Sequence, residues 1–419
     1  MSTAPRPPDP AEDAKYGGEV SIPPGSAAAA QVSRVAGPAA PARPRIVVVH
    51  SSDELYGADR MLLEIVEALT TLVHAEVEVW LPVDLPHGPT PLCHELERRG
   101  VAVRHLGLPI LRRALLRPRG LLGLGRSALR LTRELRRTRP TAVHCATSAC
   151  LLAAPAARLA GTRVVSVHVQ EIWSGAEARL LRLLARATTL RLTISRAVDA
   201  AAQLRRSEIV ENCVPGLDEQ LAGVDPGSRE GPLHLLVASR WNAWKGHRTL
   251  LTAWARAGCP GRLTVLGGPP PSGDRVDVPA LVDDVLGASP ALRASVEIVG
   301  EVPAIGPHLD AADVLVLPSD QPEPFGLVMI EAFAHGRPVI ASRAGGPLEV
   351  ITNGVDGWLY PIGDVDALTQ LLRSLDRDQV ATAARRARTT FEARFTPQRY
   401  RLRVAALFTL ALASGPGIS

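Results

Sequence analysis

Short runs of almost purely apolar residues recur along the chain, each followed by a stretch with helical spacing. "RIVVVH", "TAVHCAT" and "TRVVSVHV" are such runs in the first half, and "HLLVAS", "DVLVLPS" and "RPVIAS" in the second. A strand that is apolar at every position, rather than at alternate ones, is covered on both faces, which is the condition of a strand in a parallel sheet. "AEVEVWL", "VAVRHL", "TLRLTIS", "RLTVLG" and "VEIVG" extend the series, and helical stretches such as "ADRMLLEIVEALTTL" and "SRAVDAAAQL" separate its members. Alternation of this kind predicts parallel sheets with helices on both faces. It is interrupted by "CVPGLDEQLAGVDPGSREGP", rich in Gly, Pro and Asp. The predicted fold class is therefore α/β, with two Rossmann-like domains and an interdomain cleft.

The expected divisions are a disordered Pro/Ala-rich tail over 1–44, an N-terminal domain over 45–213, a linker over 214–230, a C-terminal domain over 231–395 and a last helix within 396–419. The tail carries nine prolines and an alanine run, a composition that cannot bury enough apolar surface to order itself. Hydrophobic residues make up 46% of the 419, so the remainder has a sizeable core. No apolar run reaches the length of a membrane-spanning helix, and "MSTAPRPPDP" lacks the basic-then-apolar order of a secretion signal. Five scattered cysteines, Cys93, Cys145, Cys150, Cys213 and Cys259, are odd in number and fit no zinc spacing. A reducing, cytoplasmic location is expected. The net charge of +5 comes from arginine, since the chain has just two lysines, Lys15 and Lys245.

"EPFGLVMIE", Glu323–Glu331, follows "DVLVLPS". Proline favours the first helical position, which predicts a helix from Pro324 with Glu323 as its N-cap. The amides of Phe325, Gly326 and Leu327 would then be free to bind an anion. Glu331, further along, could accept hydrogen bonds from the vicinal hydroxyls of a ribose, as acidic residues of Rossmann sites do. Spacing alone equally allows two carboxylates that merely decorate a helix. In "ASRWNAWKGHRTLL", Arg240 stands at the carboxyl end of a strand and Lys245 five residues on. A departing diphosphate needs fixed cations or a metal ion, and charge-assisted hydrogen bonds contribute about 1.5–3 kcal/mol each. The Asp-x-Asp pairs at Asp364/Asp366 and Asp376/Asp378 lie at helix ends, where capping explains them. No metal and no cofactor is expected.

In order, "ASRWNAWKG", "VLGG", "VEIVGEV", "ADVLVLPS", "EPFGLVMIEAFAHGRPVIASRAGGPLEVI" and "NGVDGWLYPIGD" resemble glycosyltransferase family 4, whose members are retaining, metal-independent enzymes of the GT-B fold. The resemblance covers roughly residues 45–400. It implies a nucleotide-diphosphate sugar as donor, bound by the C-terminal domain, and a glycan or lipid-linked acceptor bound by the N-terminal one. Glu331 would hold the ribose, Glu323 the donor sugar, Arg240 and Lys245 the diphosphate together with the amides of Phe325, Gly326 and Leu327. Gly345 and Gly346 of "AGGP" would lie beside the donor. In "SSDELYGADRML" the family's paired glycines become Gly57 and Ala58, and "SVHVQEIW" makes His168 the candidate catalytic histidine. The last helix would cross back to the N-terminal domain. A sugar-nucleotide epimerase of the same fold and a non-catalytic nucleotide-sugar-binding scaffold are the alternatives.

Residues 112–139 hold ten arginines and one acid, Glu134, interleaved with leucines. A helix after Gly125 would flank Leu129 and Leu131 with cations, which suits an anionic membrane surface at about 1 kcal/mol per cation. Peripheral attachment to the inner face of the plasma membrane is one reading of this segment, and a solvated helix in an arginine-rich chain is the other. Nucleic acid is not an expected partner, because aromatic residues are 4% of the chain and stacking platforms need them.

Overall fold

The computed structural model describes residues 43–84, 90–112, 118–217, 230–258, 260–270 and 274–414. Residues 1–42 of the tail expected over 1–44, most of the linker expected over 214–230, and Cys259 lie outside the described residues.

The first sheet contains β1 (Arg45–Val49), β2 (Glu76–Pro82), β3 (Ala102–Leu106), β4 (Ala142–Cys145), β5 (Val164–Val169), β6 (Leu190–Thr193) and β7 (Ser207–Ile209). Its order is β3-β2-β1-β4-β5-β6-β7. The second contains β8 (Leu233–Ala238), β9 (Gly261–Leu266), β10 (Val296–Gly300), β11 (Val314–Leu317), β12 (Val339–Ser342) and β13 (Gly357–Tyr360), in the order β10-β9-β8-β11-β12-β13. Every pairing in both is parallel. The central strands are buried along their whole length, as in β4, β5 and β11. Two strands escaped the apolar-run criterion. β7 is three residues of a half-buried edge, and β13 carries glycine and two large aromatics in four residues.

Strand order reverses between β1 and β4 in one sheet and between β8 and β11 in the other. Loops at the carboxyl ends of strands beside such reversals line the crevices where α/β proteins bind ligands. Here these are the loop from β1 into helix α1 (Gly57–Glu67) and the loops after β8 and β11.

The last helix, Pro397–Ala413, puts Tyr400, Val404, Leu407 and Phe408 into the same apolar cluster as Ile46, Val48, Ile65 and Leu69 of the first sheet's layer. Arg401 anchors it by a 2.6 Å ion pair to the fully buried Glu64. Helix α2 (Pro91–Arg98) precedes β3. The arginine-rich segment forms helix α3 (Pro118–Thr138), starting well before Gly125, the residue after which a helix was expected. Leu131 is 3% exposed and belongs to the core, whereas Leu122 and Leu129 are 69% and 59% exposed beside Arg126, Arg130 and Arg133. Of the two leucines that cations were expected to flank, Leu129 faces outward and Leu131 inward, since neighbours two apart on a helix point in different directions.

Candidate functional site

The helix that was to begin at Pro324 begins at Leu327 and runs to Ala334. Gly326 is its N-cap in the left-handed conformation, φ 87°, a geometry costly for any residue with a Cβ. Glu323 is not the cap. It lies three residues earlier in extended backbone that forms a parallel bridge to Gly345, and the Gly346 N–H donates to its carbonyl at 2.7 Å. A Cβ on Gly345 would sit 2.2 Å from the Glu323 carbonyl oxygen, and one on Gly346 2.5 Å from Phe325. These glycines exist so that two backbones can touch, and the "AGGP" loop thereby fixes the approach to the helix. Phe325 is buried edge-on against Phe395. The amides that open at the helix start are those of Leu327 and the residue after it, since the Met329 N–H already donates to the Gly326 carbonyl.

Lys245 reaches this segment. Its Nζ donates to both oxygens of Glu323, at 3.0 and 2.8 Å, and Ser319 Oγ donates to one of them at 2.9 Å. The ammonium also rests 4.1 Å from the Trp244 ring, which adds a cation–π attraction. The pair is nearly buried, so its cost in lost hydration is offset only because the carboxylate has several donors. Arg240 is exposed and stacks 3.8 Å over the ring of Tyr56 from the opposite half of the molecule.

Between the halves lies a cavity of about 790 Å³, within the size range of small-molecule sites. Tyr56, Gly57 and Arg60 line it from one side, and Ser239, Leu327 and Glu331 from the other. Gly57 is pressed against Leu327, where an added Cβ would come within 2.7 Å of that side chain. Ala58 follows it at the start of α1 and is half-buried. Asp59 shapes this loop by accepting from His50, Ser52 and the Tyr56 N–H. Burial opposes its ionisation, but the hydrogen bonds from His50, Ser52 and Tyr56 outweigh it and hold the carboxyl below its ordinary range.

Glu331 faces the cavity with a partner already in place: Arg60 Nη1 donates to it at 2.6 Å, and Arg60 Nη2 donates to the Pro215 carbonyl at 3.3 Å. Further bonds cross the halves. Ser195 Oγ donates to the Pro324 carbonyl at 2.7 Å, and Glu349 accepts the amides of Arg196 and Ala197 at 2.8 Å each. Arg60, Tyr56, Ser195 and Glu349 were not singled out in the sequence. Arg60 carries a weak signal, one turn into the helix after the glycine loop, but its partner is 271 residues away.

His168 does not reach the cavity. It is 0% exposed and neither ring nitrogen has a hydrogen-bond partner. Alternation along β5 puts it on the face of Ser166, which bonds His144 at 2.9 Å, and the last helix lays Phe408 against His144. Burial pushes the His168 imidazole down to about 4 and that of His144 to about 3. The assignment of a catalytic role to His168 is corrected accordingly.

The two-sheet architecture is the GT-B fold. It is shared with the Anabaena protein Alr3699/HepE, solved in complex with UDP and glucose (TM-score 0.68, 21% identity, 88% of this chain and 100% of that one). It is shared also with a sucrose-phosphate synthase from Thermosynechococcus elongatus (TM-score 0.69, 19% identity, 89% and 100%). Residues 232–378 match the family described as glycosyl transferases group 1. A D-inositol 3-phosphate glycosyltransferase of Pseudarthrobacter chlorophenolicus is 38% identical over 148 residues, 33% of this chain and 32% of the relative. The chain thus spans about a third of that relative's length, and less of several others it matches. Among the described residues no helix is long and apolar enough to cross a membrane.

Proposed function

We propose that the chain is a retaining, metal-independent glycosyltransferase of family 4 type. A nucleotide-diphosphate sugar would occupy the 790 Å³ cavity. The observation that carries this reading is the convergence on that cavity of both sheets' reversal points, a helix start and Glu331. The match of residues 232–378 supports it, and so does the similarity to the Anabaena protein solved in complex with UDP and glucose.

In this reading the ribose hydroxyls take the place of Arg60 on Glu331. The diphosphate lies at the start of the helix Leu327–Ala334, where the dipole and open amides favour an anion. Lys245 and Arg240 supply the positive charge that a metal ion would otherwise bring. Lys245 turns one of its hydrogens to the phosphate while keeping Glu323, whose carboxylate stays close to the sugar. Retention is favoured because the carboxylates that the N-terminal half gives to the cavity lining are already engaged. Glu64 accepts from Arg401 and the Gly216 amide, and Glu95 from Arg98 and Arg99. With these two carboxylates engaged, the departing phosphate oxygen takes the acceptor's proton on the same face of the sugar. The exposed Leu122 and Leu129 among arginines on α3 favour an acceptor presented at an anionic membrane surface.

The test is release of nucleoside diphosphate from a panel of nucleotide sugars, with membrane extract as acceptor, in EDTA and after addition of Mg²⁺ or Mn²⁺. The reading expects transfer in EDTA, changed less than about twofold by either ion, whereas a metal-assisted step would lose several kcal/mol of stabilisation. Isomerised donor without transfer would indicate an epimerase, and binding without turnover a scaffold.

A further inference from the structure

We propose that Asp53, Cys93 and His105 bind one zinc ion, which ties the loop after β1 to α2 and β3. Among the described residues these three form a group whose ligand atoms, a carboxylate oxygen, a thiol sulfur and an imidazole nitrogen, all lie within 4.8 Å of one another. They come from three separate elements: Asp53 from the loop after β1, Cys93 from the first turn of α2, and His105 from the edge strand β3.

Helix capping accounts for only part of this arrangement. Asp53 Oδ1 accepts the Cys93 N–H at 2.8 Å and so caps α2, a task that the Thr90 side chain before the helix does not perform. That explains one oxygen. The other, Oδ2, is 3.5 Å from His105 Nε2, and the carboxylate is 4% exposed. Neither an imidazole on an edge strand nor a thiol beside the same carboxylate is needed for a cap. Three protein ligands leave the fourth tetrahedral position to a water molecule.

The donor set selects the metal. Thiolate with imidazole and one carboxylate is a mixed hard–soft set that suits zinc and disfavours magnesium or calcium, which seek oxygen alone. Tetrahedral zinc with its usual bond lengths places ligand atoms roughly 3.3–3.6 Å apart, so rotations that draw these side chains about an ångström closer complete the site. His105 has a side chain 41% exposed, which gives the ion a way in. Cys93 coordinates as thiolate: the S–H proton leaves to solvent as the S–Zn bond forms, with no change of oxidation state. The loop so fastened is the one that carries Tyr56 and Gly57 to the cavity and leads into Arg60, so the ion would stiffen one wall of the cleft.

The experiment uses the full chain without a polyhistidine tag, stripped with EDTA and dialysed, then titrated with Zn²⁺ alone and, separately, with Co²⁺. Wild type should bind one equivalent, melt at higher temperature in Zn²⁺ by mass action, and show a thiolate-to-cobalt charge-transfer band. Cys93→Ser should lose the band. His105→Ala, a change at an exposed edge position that leaves the metal-free melting point unaltered, should weaken zinc at least as much as the roughly 10–100-fold that outer partners of metal sites cost. Equal zinc affinity in wild type and His105→Ala, or no uptake of either ion by wild type, would overturn the site. Sugar-transfer activity is not read in this experiment, so its outcome is independent of the proposed function.

Discussion

Arg60 and Glu331, 271 residues apart, form a 2.6 Å ion pair across the cleft, so the carboxylate proposed to hold a ribose is already satisfied by the opposite half. Nucleotide binding must exchange one partner for another. Because the arginine side chain is 36% exposed, the pair itself contributes little, about 0.2–1 kcal/mol as for other solvent-screened pairs. Arg60→Ala should therefore tighten nucleoside diphosphate binding by no more than about fivefold. Glu331→Ala, which removes its charge-assisted bonds to the ribose, should weaken it roughly 10- to 150-fold for each hydroxyl that the carboxylate holds. Titration calorimetry reads both. Weaker binding in Arg60→Ala would mean that Arg60 itself contacts the nucleotide.

Lys245 and Glu323 should behave as a coupled pair. Removing one partner leaves the other nearly buried and uncompensated, at a cost of about 3–5 kcal/mol. Lys245→Met and Glu323→Gln are each expected to lower the urea midpoint strongly, and the double variant by clearly less than their sum. Strict additivity would show that the two charges do not depend on each other. Turnover should fall in all three, because each loses a group from the proposed donor site.

The buried histidines set an acid limit on stability. Folded His168 and His144 titrate near 4 and 3, below the ordinary 6.5. Well above 6.5 both histidines are neutral in either state, and their contribution does not depend on pH. As pH falls below it, the unfolded chain takes protons that the folded one refuses. Stability then drops by about 1.4 kcal/mol per pH unit for each histidine, until the folded groups protonate in turn. Urea unfolding between pH 7.5 and 5 should show this slope, and His168→Leu should be flatter over the same range. An unchanged slope in that variant would place the protons elsewhere.

The outward face of α3 should bind anionic vesicles. Charge reversal at Arg126, Arg130 and Arg133 is expected to reduce sedimentation with phosphatidylserine-containing liposomes by roughly 1 kcal/mol or more per residue, and added salt to mimic it. Equal partition of wild type into neutral and anionic vesicles would exclude an electrostatic role for this face.

Apolar runs that suit burial on both faces, spaced by helices, need no partner to be recognised, so the fold class and the nature of most strands were legible in the sequence. Local backbone chemistry was read less well. Pro324 favours a helix start, but the bridge from Glu323 to Gly345 holds that stretch extended, and the helix waits for Gly326. Tertiary structure alone decided which face of β5 His168 occupies, that Lys245 neutralises Glu323, and that Arg60 closes on Glu331. Periodicity specifies which side chains are buried because burial is a property of one element. Ion pairs between residues 78 and 271 positions apart follow from how two sheets are brought together, which no local pattern encodes.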